Sequence, residues 1–364
     1  MTVQGAGAPA SASISQSRPR QRLLAPTAAL VILGLILPAW GWEARASQLT
    51  APSETPPTES APSDTRPPDA LALDGGPLAA APFGGPAPAG VVQHDPLAEA
   101  SGLVASRAHP GVLWAHNDSG DGPHLYALTT GGRHLGVFTL DGATARDWED
   151  LAIGPGPEPG AHYLYAGDIG DNDAPQDLNY VYRVAEPTVD SDQAPENTTL
   201  TDVSTITLRY PDGRSDAETL LIDPLTGDLY VLTKRSTDVA VYRATAPHST
   251  TNVIDMERTG TVSVARGPLA PAAGQGAVGG DIAPSGLEVL LKTYVAVYYW
   301  RRDSGAEVLF ANPPGTLPYV PERQGEAIAW AADGSGYFTL SFTLSEEAPS
   351  IPAKLYFYPR QTTN

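Results

Sequence analysis

Residues 148–151 read W-E-D-L, and the same short pattern returns four times: A-S-G-L at 100–103, A-E-T-L at 217–220, G-G-D-I at 279–282 and G-E-A-I at 325–328. Each copy sets a small residue or a Glu two positions before an apolar Leu or Ile and opens a β-rich stretch. The apolar anchors Leu103, Leu151, Leu220, Ile282 and Ile328 stand 48, 69, 62 and 46 residues apart. Strand-built repeats of that length read as blades of a β-propeller. A blade is a small antiparallel sheet that buries its faces only by packing between neighbours, which gathers the innermost strands around a central channel. A residue recurring at one point of the inner strand then meets its counterparts in space. Here it is Ser101, Glu149, Glu218, Gly280 or Glu326, so three carboxylates are expected at one level of that channel.

Between the anchors, apolar runs bounded by Gly, Pro, Asp and Ser group in fours. The first set is A-S-G-L-V-A, V-L-W-A-H, H-L-Y-A-L and H-L-G-V-F-T-L; the fourth set ends in V-L-F-A at 308–311. The fifth set has three runs, and V-V-Q-H near Val91 supplies the missing strand. The expected fold is therefore all-β: a β-propeller over residues 91–364, five-bladed, its ring closed by pairing of N- and C-terminal strands so that few edges stay open. The two long intervals leave room for weak extra strands, and so for a sixth blade. Third strands repeat a tyrosine (Tyr126, Tyr182, Tyr242, Tyr299, Tyr356), which reads as blade-to-blade core.

Ahead of this domain, Arg18, Arg20 and Arg22 precede an apolar run over 23–37, and Ala44-Arg45-Ala46 offers a small-x-small cleavage site before Ser47. Residues 1–46 read as a signal peptide or an uncleaved signal anchor; Pro38 and the A-R-A triplet suit a peptidase better. Residues 47–90, with ten prolines between 51 and 90, read as a disordered spacer too poor in large apolar residues to fold. An extracytoplasmic location follows, with membrane contact only through an uncleaved anchor. The chain has no cysteine and a net charge of −19, which removes disulfides from the account, disfavours nucleic acid and favours cations. A monomer with a small-molecule or extended surface ligand is expected.

The carboxylates carry the chemistry. D-W-E-D at 147–150 puts three acids around one Trp at the start of the second inner strand, and D-A-E-T at 216–219 repeats the spacing, Asp216 matching Asp147 and Glu218 matching Glu149. Converging like charges are costly unless a cation neutralises them or their pKa values rise. Ca²⁺, which takes about six to eight oxygens in flexible geometry, suits such a place. Candidate ion ligands are Asp147, Glu149, Asp150, Glu218 and Glu326. To these add Asp118 and Asp121 in H-N-D-S-G-D-G (116–122), and Asp168 and Asp171 in G-D-I-G-D-N-D (167–173). The competing reading is that these acids cap turns and accept backbone N–H bonds.

The chain has only three lysines, and two of them, Lys234 and Lys292, end the second strands of adjacent blades, where Asn117 and Asp168 stand in the first two. They either present cations to an anionic ligand, balance the carboxylate ring, or are solvated on outward loops. Asn117, Asp168, Glu218, Lys234 and Lys292 are the candidate ligand-binding set. No nucleophile elbow, H-E-x-x-H, P-loop or dinucleotide fingerprint is present.

Taken together, A-S-G-L, W-A-H-N-D-S-G-D (114–121), D-W-E-D-L-A, Y-A-G-D-I-G-D-N (165–172) and Y-R-V-A-E-P (182–187) resemble exported bacterial β-propellers of the SdiA-regulated and esterase-like-phytase group. The resemblance covers about residues 95 to 360. It implies acids holding Ca²⁺ and cations holding phosphate, which map here onto Glu149, Glu218, Glu326, Lys234 and Lys292. For a hydrolase the catalytic candidates are Glu149, Glu326, Lys234 and Lys292, with Glu149 or Glu326 as the base if one reaches the attacking water. The chain has few cations for a phosphate site. The functional expectation is therefore ligand binding at the channel mouth with Ca²⁺, and Ca²⁺-dependent phosphoester hydrolysis is the alternative.

Overall fold

The computed structural model describes residues 83–172, 176–264, 276–302, 309–343 and 352–361. The signal segment, most of the spacer, Asp173 and Val308 lie outside the described residues. Among those described there is no helix.

The first strand, β1 (Ala87–Val91), belongs to the last blade. The first blade is β2 (Ala100–Ala105), β3 (Val112–Asn117), β4 (His124–Thr129) and β5 (His134–Leu140). The second takes β6 (Trp148–Pro155), β7 (His162–Asp168) and β8 (Asn179–Ala185); β9 (Glu196–Leu200) then crosses back to lie parallel to β5, and β10 (Ser204–Arg209) completes the second sheet. The third is β11 (Ala217–Ile222), β12 (Leu229–Thr233) and β13 (Asp238–Ala244), with β14 (Ile254–Asp255) lent in parallel to β10 before β15 (Glu257–Ser263). The fourth is β16 (Gly279–Ile282), β17 (Glu288–Lys292), β18 (Val297–Arg301) and β19 (Gly315–Leu317). The fifth is β20 (Ala327–Trp330), β21 (Gly336–Leu340) and β22 (Lys354–Pro359), closed by β1. Inner strands β2, β6, β11, β16 and β20 pack one against the next, and β20 returns to β2.

The expected five-bladed propeller is thus present. The long intervals do hold extra strands, β9 and β14, but each adds a fifth, outermost strand to the preceding blade rather than building a sixth. The fourth blade differs from expectation at its edge. Leu309 and Phe310 of V-L-F-A lie in a turn, packed against the core between the third and fourth blades, and β19 takes the strand position instead. Closure begins earlier than the 91 boundary: β1 starts at Ala87 and Phe83 is already buried. A-P-A-G-V lacks an apolar face because an outermost strand needs only backbone hydrogen bonds, and Pro88 is tolerated on such an edge.

Apolar side chains gather into five cores, each between two neighbouring blades. Strand alternation does the sorting. Leu103 and Leu113 of the first blade face the fifth blade, while Val104 and Trp114, one residue on, face the second. This two-sided burial is why the strands read as near-continuous apolar runs. The repeated tyrosines are core, as expected, Tyr356 being only half-buried. Their hydroxyls are satisfied locally: Tyr126 donates to Asp121, Tyr242 to Asp212 and Tyr299 to Glu288.

On the face where inner strands end, charged contacts join blades. Arg302 forks onto Asp223 at 2.7 and 2.8 Å, Arg360 onto Glu288 at 3.0 Å, and Trp114 Nε1 donates to Glu186 at 3.1 Å. Phe83 anchors the closing segment, its ring against Trp330 and Tyr337 and under the Arg360 guanidinium. Phe83→Ala should therefore cost roughly 3–5 kcal/mol in denaturant unfolding, whereas Val91→Ala, on the exposed end of β1, should cost under about 0.5 kcal/mol.

Candidate metal centre

Three inner strands carry a β-bulge at the recurring position. Register slips between Ala100 and Gly102, between Trp148 and Asp150, and between Ala217 and Thr219, leaving Ser101, Glu149 and Glu218 as the extra residues. A bulge re-aims a side chain where a regular strand would face it into a sheet. β16 has no slip and carries Gly280 there; Glu326 enters one residue before β20 begins. The Ser101 hydroxyl donates to the Glu149 carbonyl and ties the first two inner strands together.

Glu149, Glu218 and Glu326 converge as expected and are 2%, 2% and 3% exposed. Carboxylate oxygens of Asp118, Asp147 and Glu149 all lie within 4.8 Å of one another, as do those of Glu149, Asp216 and Glu218, so Glu149 belongs to both groups. Lys234 Nζ pairs with Glu218 Oε1 and donates to the Tyr294 hydroxyl at 3.4 Å; Tyr294 in turn donates to Glu326 Oε1. Gly170 backs the cluster: a Cβ there would sit 2.2 Å from Glu149 Oε1 and 2.5 Å from Asp147 Oδ2. A larger residue here would push these carboxylate ends aside.

Six carboxylates thus share a mouth with Lys234 and Arg235, the latter donating to Asp216 Oδ2 at 2.6 Å. Arg235 adopts φ 71°, a region that favours glycine, to reach it. Two oxygens, Glu218 Oε2 and Glu326 Oε2, are buried with no hydrogen-bond partner among the described residues. Burial, then the charges of Asp118, Glu326 and Asp147, lifts the Glu149 pKa well above the ordinary carboxylate value, with Lys234 opposing. Burial and the Asp118 and Asp216 charges push Asp147 up to about 6. Asp118 and Glu326 are also raised, chiefly by burial. Buried acidic groups so placed have the geometry to hold a metal ion.

Other predicted ligands stand elsewhere. Asp150, one residue past the bulge, turns into the channel below the mouth and accepts N–H bonds from Leu151 (2.9 Å), Leu220 (3.0 Å) and Gly280 (3.3 Å), bridging three inner strands. Asp168 accepts from Arg146 Nε and the Asp147 N–H. Asp171 accepts from the Gln176 N–H and donates its own N–H to Asp216. Asp121 accepts from Tyr126, Asn117 and Gly122; burial opposes its ionisation, but these donors outweigh it and hold its pKa low. Asn117 also donates to the Pro96 carbonyl and accepts the Glu99 N–H. These five residues make the local hydrogen bonds that the turn-capping reading of the acids expects. The physical cause is that at least one side-chain oxygen of each accepts a nearby backbone or side-chain donor.

The lysines are not solvated on outward loops. Lys234 is nearly enclosed and balances the ring. Lys292 is 0% exposed, donates to the Gly325 carbonyl and lies 4.9 Å from the Tyr319 ring centroid; burial lowers its pKa to about 8, against Glu322 and Glu326. The ligand-binding set of Asn117, Asp168, Glu218, Lys234 and Lys292 therefore does not form one presented surface. Of it, Glu218 and Lys234 reach the mouth. Asp216 was legible from the D-x-E spacing it shares with Asp147, whereas Tyr294 and Arg235 follow strand ends and carry no pattern.

No protein-family model matches the chain, and no curated protein matches it at a significant level.

The raised Asp147 pKa has a signed consequence. Between its unfolded value of about 4 and its folded value of about 6, the folded protein holds a proton that the unfolded chain has lost, so this group's stabilisation falls as pH rises through that window. In chelator, Asp147→Asn should be more stable than wild type at pH 7, and the advantage should shrink by pH 4.5. Melting curves at both pH values check this; a pH-independent difference contradicts it.

Proposed function

We propose that this propeller is an exported ligand-binding module that holds Ca²⁺ at the carboxylate mouth of its channel and takes its ligand there. The observation that carries the cation is the pair of buried, unpartnered oxygens, Glu218 Oε2 and Glu326 Oε2, in a mouth of six acids. A buried carboxylate oxygen without a donor is costly, and a cation satisfies several at once. Hard oxygen donors arriving from several strands and loops suit Ca²⁺, whose coordination tolerates irregular geometry. Export follows from the basic, apolar, small-x-small order of residues 18–46, and the resemblance to exported propellers over about 95–360 agrees with it. The acidic charge argues against nucleic acid as a partner, and a monomer is the reading we adopt.

Phosphoester hydrolysis is the less favoured reading. It draws on two rim cations presented to a phosphate, and here Lys234 is engaged by Glu218 and Lys292 is enclosed on the Gly325 carbonyl.

Ca²⁺ binding only the folded state adds RT ln(1 + [L]/Kd), about 2.7 kcal/mol at a hundredfold excess over Kd. Ca²⁺ should raise the melting temperature by several degrees and chelator should reverse the rise, with the response largely lost in Glu149→Gln. Superimposable melting curves with and without Ca²⁺ would remove the ion from this reading.

A further inference from the structure

The face opposite the carboxylate mouth holds a second built site. Between the second and third blades lies a cavity of about 560 Å³, within the size range of small-molecule sites. Pro155, Tyr165, Leu225, Pro247 and His248 supply most of its wall, and Arg183 supplies its charge. Alternation along β8 aims that side chain: Val181 packs in the core shared with the third blade and Tyr182 in the core shared with the first, so Arg183 turns toward the third blade.

Arg183 is 7% exposed, and its Nε has no hydrogen-bond partner among the described residues. Its guanidinium lies 5.9 Å from the Tyr163 ring centroid and hydrogen-bonds the Tyr165 hydroxyl, contacts that leave its charge unneutralised. Asp228, beside the crevice, is committed elsewhere: Oδ1 accepts the Ala246 N–H at 2.9 Å and Oδ2 lies 3.9 Å from Arg243. Tyr165 donates its hydroxyl to the Pro155 carbonyl. His248 Nε2 lies 3.1 Å from the Ala244 carbonyl, and burial lowers its pKa, keeping the ring neutral. At the crevices on either side of the third-to-fourth and fourth-to-fifth contacts, an arginine meets a carboxylate of the neighbouring blade, as Arg302 meets Asp223 and Arg360 meets Glu288. Arg183, one strand position past Tyr182, matches Arg243 of the third blade, which pairs with Glu257; among the described residues no carboxylate pairs with Arg183, and the cavity lies beside it.

We propose that this crevice binds a small organic carboxylate with an apolar body, its carboxylate forked on Arg183 and its body against Pro155, Leu225 and Pro247. A guanidinium presents parallel N–H donors that match a carboxylate, and a buried unpaired donor gains most from an ionic acceptor. The apolar wall excludes a bare, strongly hydrated anion as the best fit. This site is independent of the cation reading, because it lies at the other end of the channel.

The test is calorimetric titration of the full chain, in chelator at pH 7, with benzoate, hexanoate, benzamide and inorganic phosphate. One-to-one saturable binding of benzoate or hexanoate is expected, weakened at least tenfold in Arg183→Met, with benzamide and phosphate at least tenfold weaker than the carboxylate. Leu225 is 57% exposed, so Leu225→Asp places a repelling charge at the rim without touching a core, and it should weaken binding by a similar factor. That variant decides the matter if Arg183→Met fails to fold by circular dichroism. No saturable carboxylate binding to the wild type, undiminished binding in the folded variants, or equal binding of benzamide or phosphate would overturn the proposal.

Discussion

A four-stranded sheet with apolar residues on both faces cannot stand in water alone, and this constraint organises the molecule. Each blade hands alternate side chains to the neighbour on either side, so the protein has five cores between blades. Stability then depends on the ring being closed, since an open ring would leave one face of each terminal blade wet. Residues 83–91 close it, with β1 on the outer edge of β22 and Phe83 among the aromatic rings of the fifth blade. The same packing brings five inner strands to one axis, and whatever their first residues carry must meet there.

At that meeting point the fold accepts an electrostatic cost. The bulges at Glu149 and Glu218 turn carboxylates toward one another rather than into the sheets, and Gly170 leaves the space that the Glu149 and Asp147 carboxylates occupy. Lys234 and Arg235 offset part of the charge, and the pKa values of Asp118, Asp147, Glu149 and Glu326 are still raised, first by burial and then by neighbouring carboxylates. Asp150 is a contrast one residue away. It is fully buried and also raised, chiefly by burial, yet three backbone N–H groups occupy its oxygens, so it fastens strands and leaves nothing for a ligand.

The inner strands and the five anchors were legible because two-sided burial writes a long apolar signal, and Glu149, Glu218 and Glu326 were legible because they sit at one register position. Outer strands were hard to place for the opposite reason. β9 and β14, which went unread, are exposed or only partly buried along their length, whereas β15 was read from G-T-V-S-V, and β1 is held by backbone bonds that any sequence can make. Acids in the turns could not be sorted by type or spacing. Asp118 joins the cluster and Asp121, three residues on, is capped by Asn117 and Tyr126. Nor does a lysine at a strand end announce its burial; the enclosure of Lys292 depends on Tyr319 and Gly325, from distant parts of the fifth-blade entry. The Arg183 cavity had no linear signature, because its walls come from five separate turns and strands.

The central claim is that the six acids at the mouth form a cation site, and anomalous scattering locates a heavy cation without reference to any activity. Crystals of the calcium-loaded protein exchanged with a lanthanide should show a strong peak roughly 2.3–2.6 Å from oxygens of Glu149 and Glu218. A map with no peak in the channel mouth, or with peaks confined to surface acids such as Asp177 and Asp255, would contradict the account.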